Sequence, residues 1–387
     1  MSGTLAAVIG GAAGAVALVG IVIVFIYFCL LRTRSASRNS DTNSSDPSLQ
    51  VGRNVGLELS LRPSDSQEAR CFTLEELGLA TKSFSDINLI GEGKFGEVYN
   101  GLLQDGLIVA IKKRTSLPSQ EFINEVLYLS SIRHRNLVSL LGYCQENDQQ
   151  MLIYEHVPNG SVSSHLYGAR QASNEKLEFK HRLSIALGAA KGLSHLHNQN
   201  PPLVHKDFKT ANVLVDENFI AKVADAGIKN LLSRTTGGAG PSSGVLADDV
   251  FQDPWVHESG RYSEKSDVYS FGVFLLELVS GHEASAQPGT SKSDHNILNW
   301  ARRYQEDNDV FVIVDRRMGS SFTSEGMKEF LRLGTLCVSP SPERRPTMNQ
   351  VVSELDRVLE KEMSLTTIMG EGTLTVTPGS HLFTGTR

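Results

Sequence analysis

The stretch LVHKDFKTANVLVD carries an acid, an amine and an amide, Asp207, Lys209 and Asn212, on one short loop before a β-run. A positioned carboxylate can accept a hydroxyl proton, an ammonium can neutralise a phosphoryl group in transfer, and an amide oxygen can hold a divalent cation. A second acid, Asp225, arrives at the end of the next β-run, in AKVADAGIKNLL. Mg2+ takes few carboxylates and completes its shell with phosphate oxygens and water, so Asn212 with Asp225 suits it. Ala226 and Gly227 follow, which leaves this acid on a glycine hinge without a bulky anchor.

Upstream, IGEGKFGEVY supplies Ile90, Gly91, Gly93, Gly96 and Val98. A lone glycine motif also marks dinucleotide folds, but there it opens a helix, whereas here a β-run follows. Its glycines let backbone N–H groups approach phosphate oxygens. The next β-run ends in VAIKK, which aims Lys112 at the same phosphates, and Glu125 on the following helical stretch is its natural partner. Taken alone, a surface lysine and a helix-face glutamate are ordinary.

These groups need elements to hold them. VYNGLLQDGLIVAIKK reads as two strands joined by a turn at Asp105-Gly106. SQEFINEVLYLSSI reads as a helix with Phe122, Val126 and Leu129 on one face. FTLEELGLATKSF reads as a short helix, with Thr73 as N-cap and Glu76 closing a capping box. From Val162 onward helical patterns dominate, as in HRLSIALGAAKGLSHLH and SDVYSFGVFLLELVSG. Strands followed by helices predict an α+β chain with two segregated lobes.

The chain has 387 residues and a net charge of −6, so composition lends nucleic-acid binding no support. Four scattered cysteines, Cys29, Cys71, Cys144 and Cys337, lack metal spacing and suit a reducing compartment. Leu5 to Leu31 carries no charge, and Arg32, Arg34 and Arg38 follow it. That pattern predicts one transmembrane helix with the C-terminal side in the cytosol, and no ectodomain ahead of it. A cleaved signal peptide is the alternative, disfavoured by the length of the run and the lack of a basic start. Ala6, Gly10 and Gly14 form a small-residue stripe that could pair two spans into a dimer, although small residues are common in any span. Cys29 at the cytosolic edge is a palmitoylation candidate or a plain core thiol. Residues 32–71 read as a juxtamembrane linker, 72–362 as the folded domain (lobes about 85–156 and 157–362), and 363–387 as a disordered tail.

In their order, NLIGEGKFGEVYNG, EFINEVLYLSSIRHRNLVSLLGYC, YSEKSDVYSFGVFLLELVSG and ERRPTM resemble the plant receptor-like serine/threonine kinases. The resemblance implies a two-lobed protein kinase fold, β-rich then helical, at the plasma membrane. It implies ATP and Mg2+ as cofactors, with Asp207, Lys209, Lys112 and Glu125 as catalytic residues. Ile90, the three glycines, Val98, Ala110, Glu155, Val157 and Leu214 would hold the nucleotide, and Asn212 and Asp225 the metal. Tyr154 matches the residue that gates the back pocket, and Asp267 the acid that ties the catalytic loop to the central helix.

The chain departs from that pattern at linked positions. Ala226 stands where the family has Phe, and a cavity there costs about 3–5 kcal/mol if it cannot collapse. Lys206 replaces an Arg that pairs with a phosphorylated activation segment, and Lys lacks the bidentate fork. Asp248 replaces a threonine, and Trp255 replaces the glutamate that pairs with Arg345, so Arg345 must find another acid or water. The expected activity is MgATP-dependent transfer to serine or threonine of a protein substrate, probed against an alternative: a pseudokinase that scaffolds or regulates a partner kinase.

Overall fold

The computed structural model describes residues 69–167, 177–235, 249–284, 298, 313–318 and 322–370. All lie within one compact unit, Ser64–Arg387. The expected span at Leu5–Leu31 lies outside them, and among the described residues no helix is long and apolar enough to cross a membrane.

The first lobe is a six-stranded sheet. Its strands are β1 (Arg70–Cys71), β2 (Leu89–Glu92), β3 (Glu97–Leu102), β4 (Ile108–Thr115), β5 (Leu140–Glu146) and β6 (Gln149–Glu155), in the order β1-β5-β6-β4-β3-β2. Only β1 runs parallel to its neighbour, so the last two residues of the expected linker already belong to the sheet. The β3–β4 turn forms where expected: Gly106 takes φ 86° and Asp105 Oδ1 accepts from Leu107 N at 2.9 Å. Helix α1 (Leu74–Ala80) is capped by Thr73, whose Oγ1 accepts from Glu76 N at 3.1 Å. The Glu76 carboxylate turns to Arg70 (2.5 Å), so the expected reciprocal capping contact is replaced by an ion pair. Helix α2 (Gln120–Ser131) starts at Ser119, whose side chain accepts from Phe122 N, and buries Phe122, Val126 and Leu129 as its periodicity demands.

The second lobe is helical: α3 (Val162–Leu166), α4 (Phe179–His197), α5 (Ile228–Thr235), α6 (Pro254–Ser259), α7 (Glu264–Ser280), α8 (Ser324–Cys337) and α9 (Met348–Gly370). A two-stranded ribbon, β7 (Val213–Val215) and β8 (Ala221–Val223), lies beside them. Helix α7 is largely apolar and is buried from Ser266 to Ser280, with Asp267 and Glu277 among its few buried polar groups, so it serves as the post around which the lobe packs. Phe208, beside Asp207, packs on Phe271 (centroids 5.7 Å) and Phe274 (5.6 Å) of α7, which pins their loop to the post.

Candidate active site

Two strained residues flank the candidate chemistry. Lys206 and Asp225 adopt left-handed backbone angles, φ 68° and 66°. Such positions persist only where the surroundings over-determine them. At Lys206 the cause is visible. Buried Asp267 on α7 accepts from His205 N (2.7 Å) and Lys206 N (2.9 Å), and from His197 Nε2 (2.9 Å). One carboxylate thus holds three donors and sets the loop that carries Asp207, the role expected of Asp267.

Asn212 Nδ2 donates to Asp207 O (2.9 Å), which turns the amide within the loop. Asn212 O accepts from Ala224 N (2.8 Å), and His205 Nε2 bonds Ala224 O (2.9 Å). These bonds bring Asp225 beside Asn212. An amide oxygen and a carboxylate are hard donors of the kind Mg2+ accepts alongside phosphate, so this pair fits that ion.

Above them lies the glycine loop. At Gly91 and Gly93 an added Cβ would meet nothing within 4 Å, so the fold itself does not require glycine there. Gly96 differs: φ is 145° and a Cβ would lie 2.1 Å from Lys113 O. Val98, Ala110 and Leu214 are half-buried, and Ile90 is exposed at the cleft's rim. Glu155 Oε1 accepts from Ser139 N (2.7 Å) and pairs with Lys222 (3.0 Å), which anchors the inter-lobe segment ending at buried Val157. Tyr154 is buried near Leu129 of α2 and Ala226. Burial first, and then the Asp225 carboxylate, push its phenol well above the usual range.

The expected Lys112–Glu125 pair is not formed. Lys112 Nζ is bound to Asp225 Oδ1, and Glu125 Oε2 accepts from Arg234 Nη1 at 2.5 Å. The reason is α5. This helix follows the Asp225 hinge and packs on α2, so its Arg234 reaches the carboxylate first. Ala226 permits that packing. Leu129 of α2 closes on the hinge so tightly that a Cβ at Gly227 would lie 2.3 Å from Leu129 Cδ2. Near Ala226 there is a small, partly open space of about 20 Å3, lined by Leu129, Leu137, Leu140, Tyr154 and Leu196 among others. So small a space does not carry the larger penalty of an uncollapsed phenyl-sized void.

Lys209 is half-buried beside Thr210, whose hydroxyl donates to Glu277 of α7. Glu277 also accepts from Ala284 N (2.7 Å) and Tyr167 OH (3.2 Å). Burial outweighs these bonds and pushes its carboxyl up to about 7. Lys206 lies over the Tyr262 ring (5.7 Å) with Lys229 (4.4 Å), and burial followed by Lys229 holds its ammonium below the usual range.

Arg345 has found another acid. Its Nη1 and Nη2 donate to Asp253 Oδ2 (2.6 Å) and Oδ1 (2.8 Å), and its Nε to Ser339 O (2.8 Å). Both side chains are almost fully buried. Asp253 also caps α6, with Oδ1 accepting from Trp255 N at 3.0 Å. Trp255 itself stands 43 % exposed. Asp248 lies outside the described residues.

Four contributors have no expectation behind them: Lys94, Phe95, Arg234 and Asp253. Asp253 was detectable, because Asp before Pro is a helix-start signal. Arg234 was not, since its partner is 109 residues away.

This architecture is that of a two-lobed protein kinase. A family profile described as protein tyrosine and serine/threonine kinase matches residues 85–355, and the chain belongs to that family. Its relatives place it among the plant receptor-like serine/threonine kinases. It is 41 % identical over 302 residues to the proline-rich receptor-like protein kinase PERK1 of Arabidopsis thaliana, covering 76 % of this chain and 45 % of that protein. It is 34 % identical over 342 residues to the probable serine/threonine-protein kinase PBL21 of Arabidopsis thaliana, covering 86 % and 87 %. The chain therefore spans less than half the length of the receptor-like relative and most of the PBL one. Among solved structures, the pseudokinase domain of BIR2, an immune regulator of the RLK/Pelle family, is similar with a TM-score of 0.62. That match has 29 % identity and covers 75 % of this chain and 86 % of the BIR2 chain. Protein kinases of this family use ATP and Mg2+.

Proposed function

We propose that this chain is a membrane-anchored kinase that binds MgATP in the cleft beneath the glycine loop and transfers phosphate slowly to serine or threonine of a protein substrate. The anchor in this reading is the uncharged run Leu5–Leu31, which leaves the kinase domain, about 72–362, in the cytosol at the plasma membrane. The observation that carries it is the meeting of Lys112, Asp207, Asn212 and Asp225 under glycines 91 and 93, which the fold does not itself require.

Each residue has a role in this reading. The glycine-loop amides and Lys112 bind the phosphates, while Ile90, Val98, Ala110 and Leu214 enclose the base against the Glu155–Val157 segment. Asp207 accepts the substrate hydroxyl proton, and Lys209 steadies the moving phosphoryl group. Asn212 and Asp225 would hold Mg2+, which when bound neutralises phosphate charge. Turnover further needs Lys112 to leave Asp225 for Glu125, and α5 opposes that exchange through Arg234.

That opposition favours a second reading: a pseudokinase that binds nucleotide and acts on a partner kinase. The likeness to the BIR2 pseudokinase domain supports it.

The full-length chain, titrated with MgATP, should gain thermal stability, near 2.7 kcal/mol at about 100 times Kd. Lys112→Ala should reduce the gain, and no shift at millimolar nucleotide would sink both readings. Rapid peptide phosphorylation that requires Asp207, at the rate of a competent relative, would remove the pseudokinase alternative. Protease added outside intact cells should leave the kinase domain whole.

A further inference from the structure

The tip of the glycine loop touches the catalytic loop directly. Lys94 Nζ is bound to Asp207 Oδ1, the acid assigned above as proton acceptor. Lys94 stays 47 % exposed while Asp207 is 14 % exposed, so a surface cation covers a largely sheltered acid. The neighbouring Phe95 is only 4 % exposed and joins the main apolar core. The Arg114 guanidinium lies over its ring at 4.8 Å, and Arg114 Nη2 donates to Thr235 Oγ1 (2.9 Å) at the end of α5. Between Lys94 and the strands, Gly93 and Gly96 bond each other's backbones (2.9 and 3.1 Å), which makes the tip a tight, pre-set turn.

A simple pattern follows. Three cations, Lys94, Lys112 and Arg234, each occupy one of three acids, Asp207, Asp225 and Glu125. Two of these cations, Lys94 and Lys112, belong to the surfaces that would face a polyphosphate.

We propose that Lys94 is an autoinhibitory plug: with Phe95 as its buried root, it caps Asp207 and blocks the substrate hydroxyl until a bound nucleoside triphosphate displaces the ammonium into solvent. The inference rests on the MgATP reading above. The plug couples release of the base to the terminal phosphate, because Lys94 holds Asp207, the acid at the transfer end, whereas Lys112 holds Asp225. A diphosphate competes with Asp225 for Lys112 and leaves Lys94 where it is. An ordinary phosphate-binding lysine makes the opposite prediction, since its removal weakens triphosphate binding.

The test uses the full-length chain and its Lys94→Ala, Asp207→Asn and double variants, with MgATP and MgADP affinities measured by titration. An exposed ion pair with one half-sheltered member is worth up to about 1 kcal/mol, so Lys94→Ala should tighten MgATP by about two- to fivefold. MgADP affinity should stay unchanged. Asp207→Asn should tighten MgATP similarly, and the double variant should add nothing further, as expected for one shared contact. Without nucleotide, amide exchange across residues 91–98 should accelerate in Lys94→Ala. Weaker MgATP binding by Lys94→Ala, or unchanged exchange in the loop, overturns the plug while the nucleotide reading stands. Failure of every variant and the natural chain to bind MgATP overturns both.

Discussion

Glu125 is 3 % exposed and its carboxylate is held at 2.5 Å by Arg234, whose side chain is 67 % exposed. A buried acid thus depends on a solvent-facing base from a different lobe. The pairing ties α2 to α5, and through α5 to the Asp225 hinge, so the position of Glu125 reports the state of the whole site.

Arg234→Ala should therefore leave a buried carboxylate without its partner, a loss of about 1–3 kcal/mol in nucleotide-free stability. Lys112 is the cation expected to take over. MgATP should then stabilise the variant more than the natural chain, and exchange in α2 should slow when nucleotide is added. Equal nucleotide gains in both proteins would show that Arg234 does not restrain the helix.

The Arg345–Asp253 pair leads to a different expectation. Both side chains are buried and the bond is bidentate, so Asp253→Asn or Arg345→Ala should cost about 3–5 kcal/mol in urea unfolding. The double variant should cost far less than the two losses combined. Trp255→Glu should bring no stability, because Arg345 already has a carboxylate; a gain above about 1 kcal/mol would refute that assignment.

Ala226→Phe meets a space of about 20 Å3, too small for a phenyl ring. In the present packing it should destabilise the nucleotide-free chain by about 1–3 kcal/mol. Displacing Leu129 relieves the clash and moves α2, so added MgATP should recover part of the loss. A variant as stable as the natural chain, with no change in nucleotide response, would show that the ring finds room elsewhere.

Glu277 should make stability depend on pH. Its folded carboxyl is raised to about 7, above its ordinary value of 4.5, so the folded state binds the extra proton between those values. The contribution is complete below pH 4.5 and is lost as pH rises through 7. Relative to Glu277→Gln, which does not titrate, the natural chain should lose on the order of 3 kcal/mol across that range. A pH-independent difference between the two unfolding curves would contradict this.

The glycine-loop hairpin, the amphipathic face of α2 and the apolar post α7 were legible from residue order, because each depends on local periodicity and turn chemistry. Lys112, Asp207, Asn212 and Asp225 stand out in the sequence because each lies in a short local motif, whereas their meeting spans as many as 113 residues and belongs to the fold. The role of Asp267 came from resemblance, and its three hydrogen bonds bear it out. What only the tertiary structure decided is which charge meets which. Lys112 chose Asp225 over Glu125, Arg234 took Glu125, Arg345 took Asp253, and Lys94 took Asp207. Ion pairs form between whichever opposite charges the packing brings within reach, and here the packing sets Leu129 against Gly227 and the α5 helix against α2 beside the Asp225 hinge, contacts that no local spacing announces.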